Sequence, residues 1–158
     1  MEVHVLSKLE FIEFIKGSSI NNDNVENMDI LIISINDTTS DNKIVLDNKS
    51  NVKVLYFDDT DRDIVIPIIG SNDEVKAKAC TLEQAEELFY FIERNKHKNT
   101  CIIHCSAGIS RSGAVGTFIV DYFNLDWFKF KSNNPHIHPN NHVLKLLKTV
   151  LNKKTKSD

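Results

Sequence analysis

Arginine is the rarest charged side chain in this 158-residue sequence: of 19 basic residues only three are arginine, Arg62, Arg94 and Arg111. A cationic excess is missing as well. The net charge is −3 at pH 7 and the pI is near 6.1, so no global positive field advertises nucleic acid or an anionic membrane surface. No apolar run approaches the ~20 residues that a membrane-spanning helix requires. The opening "MEVHVLSKLEF" has no basic region followed by an apolar stretch, so no secretion signal is expected. Cysteine is sparse and odd in number: Cys80, Cys101 and Cys105 suggest no disulfide framework. These absences together point to a reduced, cytoplasmic protein. There is no internal repeat and no linker, and the length predicts one domain.

Apolar residues make up 41% of the chain and charged residues 26%, the balance of an ordinary globular domain. "EVHVL" (2–6) alternates and ends at Ser7, where Ser7 and Glu10 have capping-box spacing and open a short helix closed by Gly17. "DILIISI" (29–35) and "KVLYF" (53–57) read as strands buried on both faces, with "NDTTSDNK" (36–43) a loop and "IVL" (44–46) a short strand between them. "IVIPII" (64–69) reads as an edge strand interrupted by Pro67, and "GSNDEVKAK" (70–78) as loop. A second capping box at Thr81 starts a helix that runs to about Lys96. "NTCIIH" (99–104) is a strand, residues 110–123 form a central helix, and "LDWFKF" (125–130) forms one helical turn. Pro139 opens a last helix, and the tail 153–158, with Lys153, Lys154 and Lys156, is expected to fray in solvent. Strands alternating with helices predict a single α/β domain: a central, mostly parallel sheet of about four to five strands flanked by helices.

The chemistry concentrates in "CIIHCSAGISRSGAVG" (101–116), where an apolar strand gives way to an apolar helix. Such a junction points main-chain N–H groups and a helix N-terminus into one small concavity, a ready anion site. Gly108 permits close backbone approach, and Arg111 brings a planar fork able to hold two oxygens of a phosphate. At the floor sits Cys105, whose thiolate form the dipole and the arginine both favour, placed for attack on phosphorus. His104 is expected to orient the loop by side-chain hydrogen bonding. Ser112 is expected to donate to the sulfur.

"HCSAGISRSG" (104–113) resembles the signature of the cysteine-based protein tyrosine phosphatases, His-Cys-five residues-Arg-Ser/Thr, and its Ile109-Ser110-Arg111-Ser112 is similar to the dual-specificity branch. "NPHIHPNNHVLKLL" (134–147) resembles the Pro-Asn segment that opens that branch's last helix, and "VLYFDD" (54–59) the strand and loop carrying its general acid. The resemblance implies a phosphatase-like catalytic domain over residues 1–152. It implies Cys105 as nucleophile, phosphate held by Ser106, Ala107, Gly108, Ile109, Ser110 and Arg111, and His104 and Ser112 in support. Neither metal nor cofactor is called for, since the loop supplies the positive charge.

An oxygen leaving phosphorus needs a proton, and the phosphocysteine then needs a deprotonated water; one carboxyl on a mobile loop can serve both. Candidates are Asp58, Asp59, Asp61, Asp63 and Asp73. Asp59 matches the family's acid by motif, with Asp58 and Asp73 as alternatives. Asp59 precedes Cys105 by 46 residues (105 − 59), about a dozen more than is common in the family, whereas Asp73 at 32 (105 − 73) fits the interval but lacks the strand context. An inserted stretch between Thr60 and Cys80 that borders the pocket would account for the difference.

Other features carry less. His136, His138 and His142 could form a metal cluster but fall on the Pro-Asn segment, where a structural role is expected. Cys80 and Cys101 could resolve an oxidised Cys105, though burial as small apolar residues fits them better. Trp127, Phe128 and Phe130 read as packing residues more than as a docking patch. The uncharged Ser106, Ala107 and Ile109 argue against polyphosphorylated substrates, and the acidic net charge against RNA ends. The expected partner is a phosphorylated protein, at phosphotyrosine first and then phosphoserine or phosphothreonine. Two alternatives are a phosphate-binding pseudophosphatase without turnover and a phosphatase of a non-protein phosphomonoester.

Overall fold

Four mainly apolar strands form the centre of the molecule, as a computed structural model describing residues 1–39 and 45–157 shows. They are β1 (Glu2–Leu6), β2 (Ile30–Asn36), β3 (Val52–Tyr56) and β6 (Thr100–His104), in the order β1-β6-β2-β3, every neighbour parallel. Strand β2 is buried at all seven positions because helices cover both faces of the sheet. Its residues divide by parity. Ile30 and Ile32 join Phe11 and Ile15 of α1 (Lys8–Gly17) on one side. Leu31, Ile33 and Ile35 face the larger core built by α2 (Leu82–Arg94), α3 (Arg111–Tyr122), α4 (Trp127–Asn133) and α5 (Asn141–Ser157) on the other. Phe118 in that core is 1% exposed. Truncating it to alanine would cost about 3–5 kcal/mol.

Local chemistry sets most boundaries. Ser7 accepts from the Glu10 amide while Glu10 returns to the Ser7 amide, and Thr81 and Gln84 do the same for α2. Asp126 caps α4 through the Lys129 amide, which makes "LDWFKF" the start of a seven-residue helix instead of one turn. Of the three aromatics there, only Phe130 is buried; Trp127 and Phe128 are exposed. The last helix starts at Asn141, two residues after Pro139, with Asn140 Oδ1 accepting from the Val143 amide. Residues 153–157 stay helical where the sequence predicts fraying, because Lys154 reaches Glu93 at 3.0 Å and lies 5.1 Å from the Phe89 ring centre.

Two other expectations are corrected. Val45 and Leu46 form a bend instead of the short strand predicted over 44–46, and Ile44 lies outside the described residues, as do 40–43 of the expected loop. The segment 64–78 is a hairpin, β4 (Ile64–Pro67) antiparallel to β5 (Glu74–Ala77), so half of "GSNDEVKAK" is strand. Ser71 N–H closes a turn on Ile68 C=O at 3.2 Å, and Gly70 takes φ 84°, a left-handed conformation that glycine adopts without strain.

Because the four central strands are parallel, their C-terminal ends gather on one edge. There Leu6 leads to Ser7, Asn36 to Asp37, Tyr56 to Asp58 and Asp59, and His104 to Cys105. Open parallel sheets bind ligands at this edge.

Candidate active site

From His104 the backbone turns through residues 105–110 into α3, whose first ten residues are all buried. The turn depends on Gly108. Its φ is 70°, and a Cβ added there would lie 2.4 Å from Ser7 N. The loop's carbonyls are tied outward: Ser106 C=O accepts from Lys8 N–H at 3.1 Å, Ile109 C=O from His138 N–H at 2.9 Å, and Ser110 C=O from Asn140 N–H at 3.0 Å. Among the described residues, the N–H groups of Ser106 to Ser110 have no hydrogen-bond acceptor. A loop of unbonded amides opening a buried helix is an anion cradle.

Cys105 lies within it, 2% exposed, with Sγ 3.0 Å from Ser112 Oγ. The sequence-predicted pairing of thiol and hydroxyl is therefore present. His104 supports the loop from beneath. Its Nδ1 faces the Cys105 carbonyl at 3.3 Å, and a carbonyl only accepts, so Nδ1 carries the proton and Nε2 accepts from Ser34 O–H at 2.6 Å. Asn36 Nδ2 donates to the same Ser34 oxygen at 3.2 Å, and the imidazole stacks on Phe11 at 4.1 Å. Burial pushes His104 down to about 4, with the Lys8 and Arg111 charges adding to the shift, so the ring is neutral at physiological pH.

Arg111 is 5% exposed, and its guanidinium is held on one side only. Nη1 donates to Asp37 Oδ1 at 2.6 Å and to Phe57 C=O at 2.9 Å, while Nε has no partner among the described residues. Sequence reading missed Asp37. Its one signal is its place directly after the end of a buried strand, and nothing local distinguishes it from other polar loop residues.

The five aspartates separate clearly. Asp59 Oδ1 accepts from Ser110 Oγ and from Asn140 Nδ2, each at 2.8 Å, and so rests on the loop from a position 51 residues before Ser110. Asp58 is a clamp: its carboxylate accepts from Thr38 N–H and O–H and from Lys78 N–H. Burial alone would push the Asp58 carboxyl up, but these bonds and the Arg111 charge bring it below the usual carboxylate range. Asp63 accepts from Ala79 N–H at the hairpin base, and Asp61 pairs loosely with Arg62 at 3.6 Å. Asp73 sits in the hairpin turn with its carboxylate on Ser71 Oγ at 3.0 Å. The extra spacing between Asp59 and Cys105 is occupied by this hairpin, which leaves Asp59 beside the loop.

The remaining candidates have other partners. His142 Nε2 donates to Cys80 C=O at 2.9 Å, and the His138 amide holds Ile109 as noted. Among the described residues no group of three His, Cys, Asp or Glu side chains is placed to hold a metal ion. Cys80 and Cys101 are free and buried; burial pushes the Cys80 thiol up to about 12 and raises Cys101 as well. Asn134 bridges Val3 C=O, Val5 N–H and Phe130 C=O, fixing the Pro-Asn segment against β1.

No family model and no curated protein matches the chain. Solved structures do. Human DUSP28 superposes with a TM-score of 0.52 at 14% identity, over 99% of this chain and 95% of its own. The Cydia pomonella PTP-2 phosphatase gives 0.51 at 18% identity, over 94% and 85%. The human tyrosine phosphatase-like serine/threonine/tyrosine-interacting protein gives 0.50 at 18%, over 84% and 83%. The fold is that of the cysteine-based protein tyrosine phosphatases. In this tyrosine phosphatase fold, Cys105 follows the strand β6 inside the sheet and precedes α3, and the base of the β4–β5 hairpin is tied to Asp58, the residue before Asp59.

Proposed function

We propose that the chain is a cysteine-dependent phosphatase that hydrolyses phosphomonoesters on protein, phosphotyrosine first and then phosphoserine or phosphothreonine. The observation that carries this reading is the meeting of three parts: a thiol in a loop of unbonded amides and a guanidinium whose Nε has no partner among the described residues, both from the segment joining β6 to α3, and a carboxylate following β3 that rests on the loop's Ser110.

In this mechanism the phosphate binds the amides of Ser106 to Ser110 and the Nε side of the Arg111 guanidinium, where the buried Nε has no partner among the described residues. The Cys105 thiolate attacks phosphorus, the bond to the leaving oxygen breaks, and Asp59 gives that oxygen its proton. Asp59, now a carboxylate, takes a proton from water as the water attacks the phosphocysteine, and the sulfur leaves with the Ser112 hydroxyl as its donor. The preorganised amides and Arg111 stabilise charge on the phosphoryl oxygens in both steps. His104 positions the loop and exchanges no proton.

Protein substrates are favoured over polyphosphorylated ones because Ser106, Ala107 and Ile109 bring no charge to the loop. A panel of phosphopeptides, each scored for released phosphate, tests the reading. Turnover led by phosphotyrosine and lost in Cys105→Ser supports it; equal rates in wild type and Cys105→Ser contradict it. Phosphopeptide capture without turnover would instead support the pseudophosphatase reading.

A further inference from the structure

The β4–β5 hairpin is a two-stranded sheet with solvent on both faces. Val65, Ile66, Val75, Ile68 and Ile69 are all among the exposed large apolar residues, and Ile69 is fully so. Among the described residues no other strand or helix packs broadly on it. An isolated pair of strands is marginal in water, and a third strand makes it stable.

Its hydrogen-bond parity shows which edge can accept one. Ile68 N–H bonds Asp73 C=O at 3.0 Å, and the register runs Pro67↔Glu74, Ile66↔Val75, Val65↔Lys76 and Ile64↔Ala77. Antiparallel pairs alternate, so Ile66/Val75 and Ile64/Ala77 bond inward, while Val65, Pro67, Glu74 and Lys76 direct their main-chain groups outward. On the β4 edge Pro67 has no N–H to give. The β5 edge has both groups without a partner among the described residues at Glu74 and Lys76.

We infer that this edge pairs with β5 of a second copy of the chain, antiparallel about a two-fold axis at Val75. In that register Glu74 lies opposite Lys76 of the second copy and Lys76 opposite its Glu74, each pair exchanging two main-chain hydrogen bonds. Val75 meets Val75 on the other face, beside Ile66 of each copy. Shifting the axis to Glu74 or to Lys76 sets like charges opposite each other, so charge selects the central register. A continuous four-stranded sheet, β4-β5-β5-β4, results. The interaction is independent of the catalytic reading. It also bears on the site, because Asp58 N–H donates to Lys78 C=O at 2.7 Å at the hairpin base, directly before Asp59.

Light scattering across a concentration series tests the inference. The wild-type mass is expected to climb from 18.0 kDa towards twice that value. Glu74→Lys and Lys76→Glu, each alone, are expected to weaken association about tenfold or more, and the double reversal to restore it. A wild type that stays at the single-chain mass overturns the inference, including one whose β5 amides gain exchange protection only when a phosphopeptide is added. So does a dimer indifferent to both single reversals, or a double reversal that fails to rescue. Both positions are solvent-exposed, and circular dichroism confirms that each variant is folded.

Discussion

Asp37 Oδ1 stands 2.6 Å from Arg111 Nη1, an ion pair between residues 74 apart in the chain that fixes the guanidinium while its buried Nε has no partner among the described residues. Asp37→Asn keeps the shape and removes the charge. It is expected to lower kcat/KM by about 10- to 100-fold through mispositioning of Arg111, and to weaken competitive inhibition by inorganic phosphate in parallel. Unchanged phosphate inhibition would show that the charge of Asp37 is dispensable for holding Arg111. Arg111→Lys is expected to be more severe, since an ammonium cannot hold Asp37 and phosphate in the same fork.

The aspartates give a comparative test. Asp59→Asn is expected to lower kcat by about 10²- to 10⁴-fold on phosphotyrosine peptides, with a smaller loss on an aryl phosphate whose leaving group is already acidic. Asp73→Asn is expected to leave both rates near wild type. Asp58→Ala is expected to cost roughly 1–2 kcal/mol of stability, read from urea unfolding, because Thr38 and Lys78 lose their acceptor. A dominant loss at Asp73 would move the acid to the hairpin turn and refute the assignment of Asp59.

How much of this was legible in the sequence follows from how far apart the interacting residues are. The loop from His104 to Ser112 is contiguous, so its chemistry could be read directly, and the apolar runs of β2, β3 and β6 dictate buried parallel strands. The strand context singled out Asp59, which the structure places against Ser110 and Asn140. Asp37 could not be found, because its function comes from a tertiary ion pair and its neighbours are ordinary loop residues. Strand β5 was hidden because Glu74-Val75-Lys76-Ala77, although it alternates, spans only four residues and directly follows the turn residues Gly70-Ser71-Asn72-Asp73. The last turns of α5 were hidden because Glu93 and Phe89, which anchor Lys154, lie some 60 residues upstream.

His104 sets a pH dependence. Its folded value of about 4 lies below the ordinary 6.5, so the unfolded chain binds the extra proton first. Stability contributed by the neutral, buried ring is complete above pH 6.5 and is lost as pH falls towards 4. Between pH 7 and pH 5 the loss is about 2 kcal/mol. Urea unfolding of wild type and His104→Gln at both pH values measures it, and the wild type is expected to lose more. Equal losses would mean that His104 is protonated or solvated in the native state.

Gly108→Ala combines a left-handed φ with a backbone clash against Ser7 and Leu6. The strain alone is worth about 1–3 kcal/mol, so the loop is expected to open and activity to fall below detection. The melting temperature is expected to fall too. Gly113→Ala meets the Ile137 side chain at 3.2 Å and His138 N at an ordinary 3.7 Å, and is expected to retain activity. Equal activity in the two variants would show that closure of the loop on Ser7 is dispensable.

The most direct test of the central claim is mass spectrometry of an acid-quenched reaction between a phosphotyrosine peptide and Asp59→Asn, in which hydrolysis of the intermediate is slowed. The account predicts a phosphoryl group on the peptide that carries Cys105, absent when Cys105→Ser is added. Phosphate release with no adduct at Cys105, continuing in the Cys105→Ser chain, would contradict it.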